Sequence, residues 1–145
     1  MNAIDTNLFV YAVDAAIPDK QSLAQAFLKS GFSQPTPTVL LWQVAVEFCA
    51  VLRKWGRAGR IPMERVNQER HSLLNCYPLI LPTAKVIDVS FDLTSRYSLS
   101  HWDSLLVAAC IEAGIDTLYS EDMGDGAVYD SLTVINPLKS PGAAN

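Results

Sequence analysis

The sequence has little of several features that define common protein classes. Histidine occurs twice and cysteine three times in 145 residues. Cys49, Cys76 and Cys110 lack the close spacing of zinc ligands, so we expect small buried apolar residues in a reducing compartment. The apolar run Leu105–Ile111 has only seven residues, whereas a membrane helix needs about 20. No glycine-rich phosphate loop is present, which argues against Walker-type or dinucleotide binding.

The composition predicts one soluble globular domain. Half of the residues are hydrophobic and 18% are charged, and a chain of this length can bury about 68–70% of its unfolded surface without disulfides. The N-terminus lacks the basic and apolar segments of a signal peptide. We therefore expect a cytoplasmic protein with a single domain over residues 1–138, followed by a flexible C-terminal tail at 139–145.

Short apolar runs alternate with longer segments of helical spacing. Strand-like runs end at Asp5 and cover residues 38–41, 77–81, 117–120 and 132–135, and helix-like segments follow Asp5 and cover 20–30, 42–55, a stretch from Pro62, 83–97 and 100–113. Alternating strands and helices favour parallel pairing. The sequence predicts an α/β three-layer sandwich, with a central short-stranded parallel sheet flanked by helices and a ligand site beyond the carboxyl ends of the strands.

Four carboxylates lie at unusual places in this architecture. Asp5 and Asp122 follow predicted strands at the carboxyl edge of the sheet. Glu47 shares a helical face with apolar residues, and a carboxylate buried there needs a partner. Asp103 begins a helix that is apolar nearly all round. If the four converge, their repulsion requires a cation, and oxygen ligands favour Mg²⁺ or Mn²⁺. Metal-dependent phosphodiester hydrolysis is the expected chemistry.

Each carboxylate also has a structural explanation. Asp5 can be a helix N-cap, Asp122 can be a turn residue, and Asp103 can belong to a capping box. Glu47 can be neutralised by a cation such as Arg53 on its own helix. A non-catalytic binding or interaction module, whose acids are only caps and turn residues, therefore remains the alternative function.

Four short motifs follow one another along the chain. They are Ile4-Asp5-Thr6-Asn7, Gln43 with Glu47-Phe48, Ser100-His101-Trp102-Asp103-Ser104 and Ser120-Glu121-Asp122-Met123, with Gly126 and Asn136-Pro137 after them. In this order and spacing they resemble the PIN-domain ribonucleases, and most closely the VapC toxins of toxin–antitoxin pairs, over about residues 1–138. One departure is that Leu41-Trp42 occupies the place where members often carry a serine before the glutamine.

The resemblance implies a PIN-like nuclease domain that hydrolyses RNA with Mg²⁺, or with Mn²⁺ as a substitute, and leaves a 5′-phosphate and a 3′-hydroxyl. The catalytic acids it implies are Asp5, Glu47, Asp103 and Asp122. The direct or water-mediated metal ligands among them would be Asp5, Asp103 and Asp122. The polar residues that orient these carboxylates would be Thr6, Asn7 and Ser120.

The charge is unevenly distributed. The net charge of −4 argues against a nucleic-acid partner, but six of the eleven basic residues lie between 53 and 70, so that this segment is +4 and the rest is −8. The RNA-binding candidates are Arg53, Lys54, Arg57 and Arg60, with Trp55 and Trp42 as residues that can stack on bases. A solvated helix face is the alternative explanation for such a charge run.

The resemblance also implies two protein partners, a cognate antitoxin and a second copy of the chain in a homodimer. The apolar helices around Leu23, Phe27, Val44 and Phe48 are expected to leave a hydrophobic surface for them. Serine–histidine–acid catalysis is not supported, because Ser104 and Ser120 lack a glycine-flanked nucleophile turn and the two histidines lack triad spacing. We expect both histidines to be structural.

Overall fold

The computed structural model describes residues 1–139 of the chain. Its strands are β1 (Asn2–Ile4), β2 (Thr38–Leu41), β3 (Leu79–Ile80), β4 (Thr117–Tyr119), β5 (Val128–Tyr129) and β6 (Leu132–Ile135). Its helices are α1 (Thr6–Val13), α2 (Pro18–Gly31), α3 (Trp42–Arg57), α4 (Met63–Cys76), α5 (Lys85–Arg96) and α6 (His101–Glu112). Of the predicted tail, residues 140–145 lie outside the described residues.

The strands form one sheet in the order β3-β2-β1-β4-β6-β5. Every neighbouring pair is parallel except β5 and β6, which are antiparallel. The predicted α/β sandwich with a parallel central sheet is confirmed, and the added edge strand β5 makes the sheet mixed. Short parallel strands joined by helices place most connections on the two faces of the sheet, which is why the central strands are buried.

The strand β5 was missed because two residues carry no periodic signal. It pairs with β6 through a tight connection at Asp130 and Ser131. Asp130 has a positive φ of 52°, a left-handed conformation that aspartate tolerates better than most residues. The sequence in this region is rich in glycine and acids, which favours a loop, so only the pairing with β6 makes it a strand.

Several element ends follow directly from local sequence. β2 and β6 have the predicted bounds. Helix α2 begins two residues earlier than predicted because Pro18 suits the first helical position. Helix α6 begins after Ser100, whose side chain accepts the Asp103 backbone N–H. These ends agree with the predictions to within a few residues, as capping rules allow.

The hydrophobic core lies on both sides of β1 and β4. Ala3 and Leu118, at their centres, are fully buried, and so are Leu8 and Val107 from the helices α1 and α6. Cys110 is buried as expected and its burial raises the pKa of its thiol, but Cys76 is exposed at the end of α4, so that prediction was wrong for this residue. Within residues 1–139, no helix is long and apolar enough to cross a membrane.

The sheet brings three of the four candidate segments to one edge. Ile4 pairs with Tyr119 in parallel, so Asp5 and Ser120 both follow strand ends at the same level. Strand β2 pairs with β1 on the other side, which places the first turns of α3 beside the start of α1. Residues from distant parts of the chain therefore meet beyond the carboxyl ends of β1, β2 and β4, as expected for a parallel sheet.

Candidate active site

Asp5 lies at the centre of the site. It is the N-cap of α1, and its Oδ1 accepts the backbone N–H of Thr6 at 2.7 Å. Its Oδ2 accepts a hydrogen bond from the hydroxyl of the fully buried Ser120 at 2.8 Å. The capping explanation for Asp5 is thus correct, and it is compatible with a place in the site because the second oxygen faces the end of β4.

The electrostatic environment of Asp5 is unfavourable for a lone carboxylate. Burial raises its pKa, and the negative charges of Glu47 and Asp122 raise it further, whereas the hydrogen bonds from Ser120 and Thr6 lower it. A carboxylate with two like charges nearby gains stability when a cation binds among them. The structure therefore places two of the other predicted acids, Glu47 and Asp122, within electrostatic reach of Asp5.

Glu47 is half-buried in the second turn of α3. Its Oε2 accepts a hydrogen bond from the hydroxyl of Thr6 at 2.7 Å, and its Oε1 accepts one from the amide of Gln43 at 3.0 Å. No lysine or arginine within residues 1–139 forms an ion pair with it, so neutralisation by Arg53 is not what happens. Neutral donors hold this carboxylate in place and leave its charge uncompensated.

Asp122 is exposed on the loop after β4. Its Oδ2 accepts a short hydrogen bond from the side-chain amide of Asn7. Its backbone N–H donates to the Ser120 hydroxyl oxygen at 3.3 Å. Ser120 therefore joins Asp5 to the backbone that carries Asp122. The contacts of Thr6, Asn7 and Ser120 are those expected of residues that orient carboxylates.

Asp103 is less closely tied to the other three acids. Its backbone N–H donates to the Ser100 hydroxyl oxygen at 3.1 Å, which is one half of the proposed capping box. The charges that act on Asp5 come from Glu47 and Asp122, and Asp103 is not among them. The link to α6 runs through Gln43, whose amide donates both to Glu47 and, at 3.2 Å, to the backbone carbonyl of Trp102. Gln43 belongs to one of the sequence motifs, but no role was predicted for it.

The donor set fits a hard divalent cation. Asp5, Glu47 and Asp122 lie at the sheet edge and are bonded to hydroxyl and amide groups, and Mg²⁺ prefers oxygen ligands. As the side chains stand, no three acidic, histidine or cysteine residues between 1 and 139 form a group that could hold a metal ion. The structure thus supplies the ligand chemistry and the charge repulsion, whereas the full ligand cage is not assembled.

The basic segment is only partly available to a ligand. Arg53, Lys54 and Arg57 are exposed on the second half of α3. Lys54 comes seven residues after Glu47, which is two helical turns, so it lies on the same side of α3 about 10 Å further along the axis. Arg60 instead pairs with Asp14.

Trp55 is also engaged within the protein. The guanidinium of Arg60 lies over its ring at 4.0 Å from the ring centre, so one face of the indole is covered. Trp42 is 46% exposed and remains accessible. Of the predicted RNA-binding residues, Arg53, Lys54, Arg57 and Trp42 are therefore accessible to a nucleic acid. Arg60 and Trp55 instead contact other residues of the protein.

The exposed apolar surface lies elsewhere than predicted. Val44 and Phe48 are buried in the core, and Phe27 packs edge-to-face on Tyr119 at 4.9 Å, so the expected surface is reduced to Leu23. A cavity of about 560 Å³ beside the site is instead lined mainly by apolar side chains. Its exposed large apolar residues, which we call the tryptophan face, are Trp42, Val46, Leu81, Ile87 and Trp102. In the sequence, Trp42 and Trp102 next to the motifs were the only indication of this apolar surface.

Comparisons with solved structures place this fold. No protein-family model matches the chain, and no curated protein matches it. VapC20 of Mycobacterium tuberculosis, a sarcin-ricin-loop-cleaving toxin, is 16% identical with a TM-score of 0.63, and the match covers 84% of this chain and 90% of that one. VapBC2 of Rickettsia felis, bound to a promoter DNA fragment, is 15% identical with a TM-score of 0.65 over 92% and 96%. FitAcB of Neisseria gonorrhoeae is 17% identical with a TM-score of 0.68 over 94% and 98%. The chain shares their fold, and the predicted PIN-like architecture is confirmed.

Proposed function

We propose that this protein is a metal-dependent endoribonuclease and the toxin of a type II toxin–antitoxin pair, acting on RNA in the cytoplasm. The observation that carries the proposal is the meeting of Asp5, Glu47 and Asp122 at one sheet edge, without a cationic partner for Glu47 and with a raised pKa at Asp5. The fold shared with toxins, one of which is described as a sarcin-ricin-loop-cleaving toxin, supports the same function.

The residues that would hold Mg²⁺ are Asp5, Asp103 and Asp122. When bound, Mg²⁺ would lower the pKa of a water molecule and stabilise the charge that develops on the leaving oxygen. Ser120 and the Thr6 backbone N–H hold both oxygens of Asp5 at fixed positions. This orientation lowers the reorganisation that catalysis would otherwise require.

Glu47 has a different role from the metal ligands. The Thr6 hydroxyl and the Gln43 amide donate to its two oxygens, and each oxygen keeps a free lone pair. Because no cation pairs with this carboxylate and two neutral donors fix its orientation, Glu47 is placed to accept a proton from an attacking water molecule. Gln43 at the same time ties the first turn of α6 to α3, which keeps Asp103 beside the site.

Arg53, Lys54 and Arg57 would hold the RNA backbone. They extend from the site along α3, and basic side chains that do not pair with acids of the protein are free to pair with phosphates. We propose that this local positive charge compensates for the net charge of −4 and that salt weakens RNA binding accordingly.

The protein partners we propose are a cognate antitoxin and a second copy of the chain. The tryptophan face supports a protein partner, because clustered exposed apolar side chains usually mark an interaction surface. One structural neighbour, from Klebsiella pneumoniae, is a toxin–antitoxin complex, which agrees with this proposal. Light scattering on the isolated protein measures whether it forms a dimer.

Cleavage of a defined single-stranded RNA tests the enzymatic proposal. Asp5→Asn removes the charge at the centre of the site and should abolish Mg²⁺-dependent cleavage while the melting temperature shows that the fold is retained. Asp88→Asn is the matched control, since Asp88 is exposed on α5 away from the site, and it should cleave like the parent. Sequencing of the product ends should find 5′-phosphates.

The alternative, a non-catalytic interaction module, makes the opposite prediction. Such a module should not bind Mn²⁺ stoichiometrically, and Asp103→Asn should not change its calorimetric titration. If the parent shows neither Mn²⁺ binding nor cleavage, the enzymatic proposal is wrong. If both occur and Asp103→Asn weakens Mn²⁺ binding, the assignment of Asp103 as a ligand is supported.

A further inference from the structure

A partly exposed ion pair lies next to Asp122 in the chain and has no role in the proposed chemistry. The ammonium of Lys20, in the first turn of α2, is 2.7 Å from Oε1 of Glu121 and 3.3 Å from the hydroxyl of Tyr11. The Glu121 side chain is only 22% exposed. Its other oxygen, Oε2, is buried and has no hydrogen-bond partner among residues 1–139. A half-buried carboxylate of this kind depends strongly on its one cation.

Glu121 lies between Ser120 and Asp122, which follow the end of β4. Ser120 holds Asp5, and Asp122 is the next candidate ligand. The three side chains have three different partners. Ser120 donates to Asp5, Glu121 accepts from Lys20 of α2, and Asp122 accepts from Asn7 of α1.

Helix α1 receives both loop residues on one face. Asn7 donates to Asp122, and Tyr11 lies beside Glu121 and Lys20. Asn7 and Tyr11 are four residues apart, so they are neighbours on the helix surface. Because Glu121 and Asp122 are adjacent in the chain, a backbone shift at Glu121 is passed on to Asp122. Loss of the Lys20 contact would leave Glu121 partly buried without a cation, and the side chain would gain by moving out to water.

We propose that Lys20, acting through Glu121, is a positioning residue that holds the Asp122 carboxylate in place for a divalent cation. The cation half of this inference rests on the proposed function, and the positioning half does not. Tyr11 assists by contacting Lys20 through both its hydroxyl and its ring, since the ammonium is 4.6 Å from the ring centre. The pKa of Glu121 is lowered, mainly by Lys20, which agrees with a firmly formed pair.

Charge alone and positioning of Asp122 predict opposite effects of a Lys20 substitution on metal binding. Lys20 is positive, so its removal should strengthen binding of a divalent cation if charge were all that mattered. If Lys20 positions Asp122, its removal should weaken binding, and loss of such orienting contacts typically weakens metal affinity 10- to 100-fold. The sign of the change therefore separates the two explanations.

The test compares Lys20→Met with Lys29→Met, an exposed lysine in the last turn of the same helix. Calorimetry with Mn²⁺ should show about tenfold weaker binding for Lys20→Met and no change for Lys29→Met. Glu121→Gln should weaken binding as well, and the double variant should bind like Glu121→Gln alone, because Lys20 acts only through Glu121. Lys20→Arg should restore most of the affinity.

A second measurement needs neither metal nor activity. The side-chain amide of Asn7 donates to Asp122, so its NMR resonance reports on that carboxylate in the metal-free protein. It should shift in Lys20→Met and stay unchanged in Lys29→Met. If the resonance does not move, the positioning inference is overturned, even where the melting temperature falls. Tighter Mn²⁺ binding by Lys20→Met, or additive effects in the double variant, would overturn it too.

Failure of the proposed function looks different. If the parent neither binds Mn²⁺ nor cleaves RNA, the metal-dependent nuclease is wrong, while the Asn7 resonance still decides whether Lys20 positions Asp122. If the parent is active and Lys20→Met raises only the KM for RNA, Lys20 contacts the substrate directly and the inference is wrong.

Discussion

Replacement of Ser120 by alanine tests the central hydrogen bond of the site. The Ser120 hydroxyl is fully buried and donates to Asp5 at 2.8 Å. Ser120→Ala removes a hydrogen bond to a charged group, which typically contributes about 1.5–3 kcal/mol, and leaves the carboxylate with one donor fewer in a buried place. We expect a loss of about that size at neutral pH, measured by urea unfolding in the presence of EDTA.

The loss should depend on pH in a defined direction. The pKa of Asp5 is raised in the folded protein, mainly by burial, so this carboxyl group favours the folded state when protonated and opposes it when ionised. Its stabilising effect is present at low pH and is lost as the pH rises through the range between the unfolded and the folded pKa. Ser120→Ala removes a contact that lowers this pKa, so its cost should be larger at pH 7 than at a pH below the ordinary value of 3.8.

Ser104→Ala is the matched control for this measurement. Ser104 is equally buried, at 1% exposed, but its hydroxyl donates to the neutral backbone carbonyl of His101 at 2.7 Å. Its replacement should cost about 0.5–1.5 kcal/mol, independently of pH. If Ser120→Ala and Ser104→Ala lower the free energy of unfolding by the same amount at both pH values, the Ser120 hydroxyl does not stabilise an ionised Asp5. The electrostatic account of the site is then refuted.

Four further changes test the surroundings of the site and the helix that leads away from it. Arg60→Ala should lower the free energy of unfolding by about 1 kcal/mol, because the ion pair and the contact with an indole ring are lost. It should leave the KM for RNA unchanged. Lys54→Ala should raise that KM several-fold and hardly change the stability. Trp42→Glu should disrupt the proposed dimer in light scattering, and an unchanged mass would exclude this face from the dimer interface. Gly59→Ala should cost about 1 kcal/mol in thermal unfolding because of the positive φ of 71°, whereas Gly31→Ala, which meets no atom within 4 Å, should not destabilise.

Local patterns in the sequence were sufficient for most of the fold. The runs at 38–41 and 132–135 became strands with the same bounds, since β-branched and aliphatic residues between turn signals suit buried strands. Ser100 and Pro18 marked helix starts through capping and the geometry of proline. The two-residue strand β5 had no such signal, because its existence depends on a neighbour in the sheet rather than on its own side chains.

The candidate site was predictable only as a set of residue types. The positions of Asp5, Glu47 and Asp122 after strands or on an apolar helix face indicated that they would meet, and their motifs resembled a nuclease family. No pattern along the chain indicated that Thr6 would bond to Glu47, or that Lys20 on another helix would hold Glu121. Such contacts join residues 41 and 101 positions apart, and sequence periodicity carries no information at that separation.

The sequence by itself determined the alternation of strands and helices, the buried apolar faces and the supply of carboxylates, because these depend on residues close together in the chain. Tertiary structure decided which charges remain free. It paired Arg60 with Asp14 and buried Val44 and Phe48 while leaving Trp42 and Trp102 exposed. The physical reason is that burial and pairing depend on distances through space, which the packing of helices against the sheet sets.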